Sequence, residues 1–148
     1  MTQDCPGPRE FEAGKVKMRL HATIASDVEA VGLFTDQVMD LVRETNSAAG
    51  KEFGMEMSLR EALANAVLHG CKSDPKKQVE CCVACDDEGG MLIVVRDPGD
   101  GFDPTAVQSP VDGENVFSTH GRGIFLINQL MDDVRYEQGG TEIRMRKF

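Results

Sequence analysis

Glu61, Asn65 and His69 recur at four-residue spacing in the stretch Glu61-Ala-Leu-Ala-Asn65-Ala-Val-Leu-His69-Gly70. On an α-helix that spacing stacks a carboxylate, an amide and an imidazole on one side. Leu59, Ala62, Leu63, Ala66 and Val67 follow the i, i+3, i+4, i+7, i+8 pattern of a buried stripe. At 100° per residue the two stripes lie roughly 130° apart, so one face can pack on a sheet while the other meets a ligand. A solvated helix face would show the same pattern, and the spacing alone leaves both readings open. Gly70 fits the position where many helices end in a left-handed turn.

Two further motifs lie downstream. Arg96-Asp97-Pro98-Gly99-Asp100-Gly101 follows an apolar run. Asp97 at a strand end can accept a hydrogen bond from an exocyclic amine, and Gly99 and Gly101 remove the Cβ atoms that would block a planar ring. The same residues are good turn chemistry with no ligand. His120-Gly121-Arg122-Gly123-Ile124 opens a helical pattern. Glycines at a helix N-terminus leave N–H groups and the positive end of the dipole available to a phosphate. Neither a Walker P-loop nor a Rossmann fingerprint is present, which disfavours both of those nucleotide folds.

The elements that must position these groups follow from periodicity. Val16, Met18, Leu20, Ala22 and Ile24 alternate with polar residues and predict a half-buried strand over residues 15–25. Ser26 or Asp27 can cap a helix whose buried stripe would be Val28, Val31, Phe34, Val38, Leu41 and Val42, ending at 46–50. A second helix is expected from about Met55 to His69, then a turn at Asp74-Pro75. Strands at 78–85 and 91–96 are joined by Asp86-Asp-Glu-Gly-Gly90, which has hairpin chemistry. After a long Gly- and Asp-rich loop, a helix is expected over 121–131 and a closing hairpin of 134–136 with 141–147 around Gly139-Gly140. That order predicts an α+β fold, a two-layer sandwich with a mixed, largely antiparallel sheet and helices on one face.

With 148 residues, 41% of them hydrophobic, the chain suits one domain. The reading is a disordered tail over 1–14 and a single domain over 15–148, with no signal peptide and no apolar run near the roughly 20 residues of a membrane span. A net charge of −9 disfavours nucleic acid as a direct partner, because phosphate contacts need clustered cations. Cys81 and Cys85 would share one strand face with Val79 and Val83, while Cys82 points to the other. Adjacent cysteines facing opposite ways make a poor zinc chelate. Five cysteines without a secretion signal favour reduced, buried thiols in a cytoplasm.

Taken together and in this order, Glu-x-x-x-Asn, Asp-x-Gly-x-Gly and Gly-x-Gly resemble the motif set of the GHKL, or Bergerat-fold, ATPases. Leu59 to Gly70, Gly121 to Val134 and Gly140-Thr141 are similar to the bacterial anti-sigma-factor serine/threonine kinases, over roughly Val16 to Lys147. The resemblance implies ATP and Mg²⁺ as cofactors. It makes Asn65 the Mg²⁺-binding asparagine, Glu61 the general base, and Asp97 the adenine-reading aspartate with Thr141 supporting it through water. Gly99, Gly101, Gly121 and Gly123 would frame the ATP lid, with Arg122 in reach of phosphate. His69 falls in the motif and reads as a packed histidine.

What the resemblance implies for function is an ATP-dependent protein serine/threonine kinase in the cytoplasm. It would act as an anti-sigma factor, binding a sigma factor and phosphorylating a STAS-domain anti-anti-sigma partner. In some relatives an arginine stands two residues before the first lid glycine, where this chain has Thr119. The alternative is therefore a non-catalytic, ATP-gated protein-binding switch of the same fold. Homodimerisation is a further expectation, from the family and from the sheet face opposite the helices, which would carry Cys82 among mixed polar residues.

Overall fold

A computed structural model describes residues 16–47, 50–71, 74, 76–87, 89–99 and 119–148, with 119–124 and 138 described for backbone only. The expected N-terminal tail, Gly101 and the stretch from Asp103 to Ser118 lie outside the described residues. The elements run β1 (Val16–Ala25), α1 (Val28–Thr45), α2 (Glu52–Asn65), a single π turn (Ala66–Gly70), β2 (Gln78–Asp86), β3 (Met91–Arg96), α3 (Thr119–Leu130), β4 (Asp133–Glu137) and β5 (Glu142–Lys147). The strands form one sheet in the order β1-β2-β3-β5-β4. Every pairing is antiparallel, so the sheet expected to be mixed contains no parallel pair among the described strands. Hairpin connections account for this at β2–β3 and β4–β5, since two antiparallel neighbours need only a tight turn.

One face of the sheet carries the core. Val79, Cys81, Val83 and Cys85 on β2 meet Met91, Ile93 and Val95 on β3, and the stripes of α1 and α2 close over them. All five predicted apolar residues of the second helix, from Leu59 to Val67, are buried. In α1 the stripe is Val31, Phe34, Thr35, Val38, Met39 and Val42. Val28 is 78% exposed, contrary to expectation. It is the first residue after the Asp27 cap, whose side chain accepts from Glu29 N–H, and the helix has not yet turned toward the sheet. Asn46 closes α1 at φ 52°, with Asn46 N–H on Arg43 O and Ser47 N–H on Val42 O. This is the two-bond Schellman ending.

Burial drives the Cys81 thiol far above its ordinary range. It pushes Cys85 up to about 11, helped by the Asp86 carboxylate. Both thiols are free and buried, as expected, and stay protonated at neutral pH. Cys82 differs, being disulfide-bonded where reduced thiols were expected throughout. It faces away from the helical layer, in a small cluster with Leu92 and Val94.

That opposite face is more ordered than a mixture of polar residues. A row of paired polar and charged side chains crosses four strands: His21 Nε2 lies 2.9 Å from Glu80, Glu80 accepts from Arg96 at 3.2 Å, and Arg96 reaches Glu142 at 2.6 Å. Glu142 in turn lies 3.2 Å from Arg144, and both are only 2% exposed. The centre of this face, at Cys82, Leu92 and Val94, is also buried within the single chain.

Candidate functional site

The three motifs converge through the end of α2. The α-helix stops at Asn65, and the next five residues form a π turn closed by Cys71 N–H on Ala66 O at 2.8 Å. Each π bond spans one residue more than an α bond, and such single turns recur at functional sites. Glu61 and Asn65 therefore keep the i, i+4 relation on α2, and both are half-buried. His69 lies beyond the switch, in the π turn, and is exposed. The expected packed histidine is not found.

Gly70 also departs from expectation. Its φ is not positive, so it does not end the helix as a left-handed cap. It is glycine for want of space: a Cβ at Gly70 would overlap the Asp97 carboxyl, with both oxygens at 2.5 Å. A Cβ at Gly99 would stand 2.9 Å from Gly70 Cα and would overlap Gly70 O. The helix motif and the strand-end motif thus touch backbone to backbone, with the Asp97 side chain enclosed between them.

Asp97 is held on two sides. Its N–H donates to Thr141 O at 2.9 Å, adding one rung beyond the Arg96–Glu142 pair of the β3–β5 ladder. Its Oδ1 accepts from Gly99 N–H at 2.8 Å. No hydrogen bond from a described residue reaches Oδ2, which leaves that oxygen available to a ligand's N–H group. Burial raises the Asp97 pKa above its ordinary value, and the Gly99 N–H offsets part of the rise. A partly desolvated carboxylate at the mouth of a strand gains more from a hydrogen-bond donor than a hydrated one does.

Arg96 and Glu142 flank Asp97 and Thr141 in sequence but point to the other face, where they pair. The charge row therefore pins the two strand ends that carry Asp97 and Thr141. Sequence reasoning missed this support, and the contact of Gly70 with Asp97. The alternation of β3 and β5 offered a signal for the Arg96–Glu142 pair once the register was known. For the Gly70 contact no periodic signal exists, since it depends on the extra residue in the π turn.

The third motif is reached through α3. Gly54 in the first turn of α2 lies against Leu130 at the end of α3, and the two helices pack side by side. They therefore run antiparallel, and the 12 residues of α3 carry its first turn roughly 18 Å back toward the Asn65 end at ~1.5 Å per residue. The helix begins at Thr119, two residues earlier than expected. Gly121 then falls among the first N–H groups, which have no intrahelical acceptor, and Arg122 and Gly123 follow it directly. Their side-chain surroundings lie outside the described set, as does all of Gly101.

Comparison with known proteins agrees with this geometry. The profile of the histidine kinase-like ATPase domain matches residues 24–147. An anti-sigma F factor of Heyndrickxia coagulans is 29% identical over 90% of this chain and 92% of its own length. A serine-protein kinase RsbW of Bacillus licheniformis is 29% identical over 76% of this chain and 79% of its own. The RsbW of Staphylococcus epidermidis is 34% identical over 63% of each chain. Among solved structures, the RsbU and RsbW domains of Rv1364c from Mycobacterium tuberculosis share the fold, with a TM-score of 0.59 and 18% identity over 88% of this chain and 31% of that one.

Proposed function

The chain belongs to the histidine kinase-like ATPase domains, and from that premise we propose that it is an ATP-dependent protein serine/threonine kinase acting as an anti-sigma factor. Its substrate would be a STAS-domain anti-anti-sigma protein, and it would hold a sigma factor in the cytoplasm. The observation that carries the reading is the contact of the Asn65-bearing end of α2, through Gly70, with Asp97 at the end of β3. Relatives named anti-sigma F factor and serine-protein kinase give the chemistry its direction.

Each residue has a role in this proposal. Asp97 Oδ2 accepts from the exocyclic amine of adenine, with Thr141 beside it and Gly99 and Gly101 giving the ring room. Gly121, Arg122 and Gly123, at the start of α3, meet the phosphates. Asn65 offers an amide oxygen, a hard ligand suited to Mg²⁺. Among the described residues no three His, Cys, Asp or Glu side chains cluster as a metal site, so phosphate oxygens and water would complete such an ion's shell, as Mg²⁺ commonly requires. Bound there, the ion would neutralise charge on the transferring phosphoryl group. Glu61, one turn before Asn65, orients the partner's hydroxyl and accepts its proton.

The test is incubation of the chain with ATP, Mg²⁺ and its cognate STAS-domain protein, with phosphoserine and phosphothreonine read by mass spectrometry. Transfer is expected, and Glu61→Ala should slow it by about 10²–10⁴-fold while ATP binding persists. A wild-type chain that binds ATP yet transfers nothing would sink the kinase assignment in favour of the ATP-gated switch.

A further inference from the structure

Gly70 lies outside the set of residues assigned to the nucleotide, yet it forms one wall of the Asp97 side chain. Three observations bear on it. Its φ is not positive, so backbone conformation does not demand glycine. A Cβ there would overlap Asp97 Cγ, and would stand 2.5 Å from both carboxylate oxygens, closer than real Cβ contacts allow. And Asp97 cannot retreat by moving its main chain, which is fixed by the 2.9 Å bond to Thr141 O.

We propose that Gly70, delivered by the π turn, is a positioning residue for base recognition: it holds the Asp97 carboxyl in the one rotamer that directs Oδ2 at the exocyclic amine of a purine. The inference rests on Asp97 as the adenine-reading group. With Oδ1 tied to Gly99 N–H at 2.8 Å and Gly70 closing the near side, only Oδ2 remains to choose a ligand. A methyl at residue 70 must turn the carboxyl out of this seat and break its bond to Gly99. The phosphate-binding end of α3 is untouched by that rotation, so base choice should suffer more than nucleotide binding as such.

Inosine triphosphate isolates the effect, because it presents a carbonyl oxygen where ATP presents an amine. Binding of both nucleotides to the full chain is measured by calorimetry for the wild type, Gly70→Ala, Asp97→Asn and the double variant. Thermal unfolding confirms that each is folded. The wild type should favour ATP by about tenfold or more, the usual effect of leaving a desolvated acceptor unpaired. Gly70→Ala should bring that ratio close to one, and adding it to Asp97→Asn should change the ratio no further. Gly32→Ala, whose new methyl meets nothing within 4 Å, should leave the ratio unchanged.

A Gly70→Ala protein that weakens both nucleotides equally, or neither, while Asp97→Asn abolishes the preference, would overturn the role of Gly70 and leave the adenine reading standing. If instead Asp97→Asn keeps the wild-type ratio, the adenine reading itself has failed. Should Gly70→Ala not fold, Gly99→Ala applies the same pressure from the other side, since its methyl meets Gly70 O. The same collapse of the ratio is then expected, and an unchanged ratio counts against the proposal.

Discussion

Asp97 sets two pH dependences of opposite sign. Burial raises its pKa above the ordinary 3.8, so the folded chain holds this proton more tightly than the unfolded chain does. Between 3.8 and the raised value the native state binds more protons, and stability falls as pH rises through that window. Ligand binding runs the other way, because a protonated carboxyl accepts poorly from adenine's amine. Asp97→Asn should therefore be at least as stable as the wild type at pH 7, with the difference vanishing below the window, and it should bind ATP worse at neutral pH. Urea unfolding from pH 3 to 8, paired with calorimetric titration of ATP, checks both halves. A wild type more stable than the variant only above the window would contradict the sign. The identity of Asp97 was legible in the sequence from its place after an apolar run. The enclosure that perturbs it was not, because it arises from a residue elsewhere in the chain.

At the scale of elements, the charge row across the sheet separates ion pairs that matter from those that do not. Glu142 is 2% exposed and accepts from both Arg96 and Arg144. Glu142→Ala would remove the buried carboxylate that Arg96 and Arg144 share, and a loss of about 3–5 kcal/mol is expected. Asp133 and Arg135 pair at 3.1 Å on β4, but the Arg135 side chain is 62% exposed. Removing that pair should change stability by no more than ~0.5 kcal/mol. Chemical denaturation of the two variants gives the comparison, and ATP affinity should fall with Glu142→Ala because the rung between Asp97 and Thr141 frays. Strand boundaries were legible to within a residue at β2 and β3, since Gly and Pro punctuate alternating runs. Helix geometry was legible only up to Asn65. Nothing in side-chain period distinguishes an α-helix from one that admits an extra residue, so His69 and Gly70 were misplaced while Leu59 to Val67 were not.

Across the whole molecule, the order of elements was enough to predict an α+β sandwich, and the resemblance carried by the three motifs named its family. Antiparallel pairing throughout and the buried centre of the second sheet face needed the long-range register, which no local window contains. The contact between Gly70 and Gly99 also bears on how such a chain can change over time. A methyl at residue 99 would meet the Gly70 main chain, one at residue 70 would meet the Asp97 carboxyl, and both would press on Asp97 Oδ1. The first methyl to arrive must turn the carboxyl out of its seat, and the second then presses on a seat already lost. Gly70→Ala and Gly99→Ala should therefore be strongly non-additive, the pair together losing little more ATP affinity than the worse single variant. A lineage that gives up one of these glycines is released from keeping the other, and the way back requires both to revert.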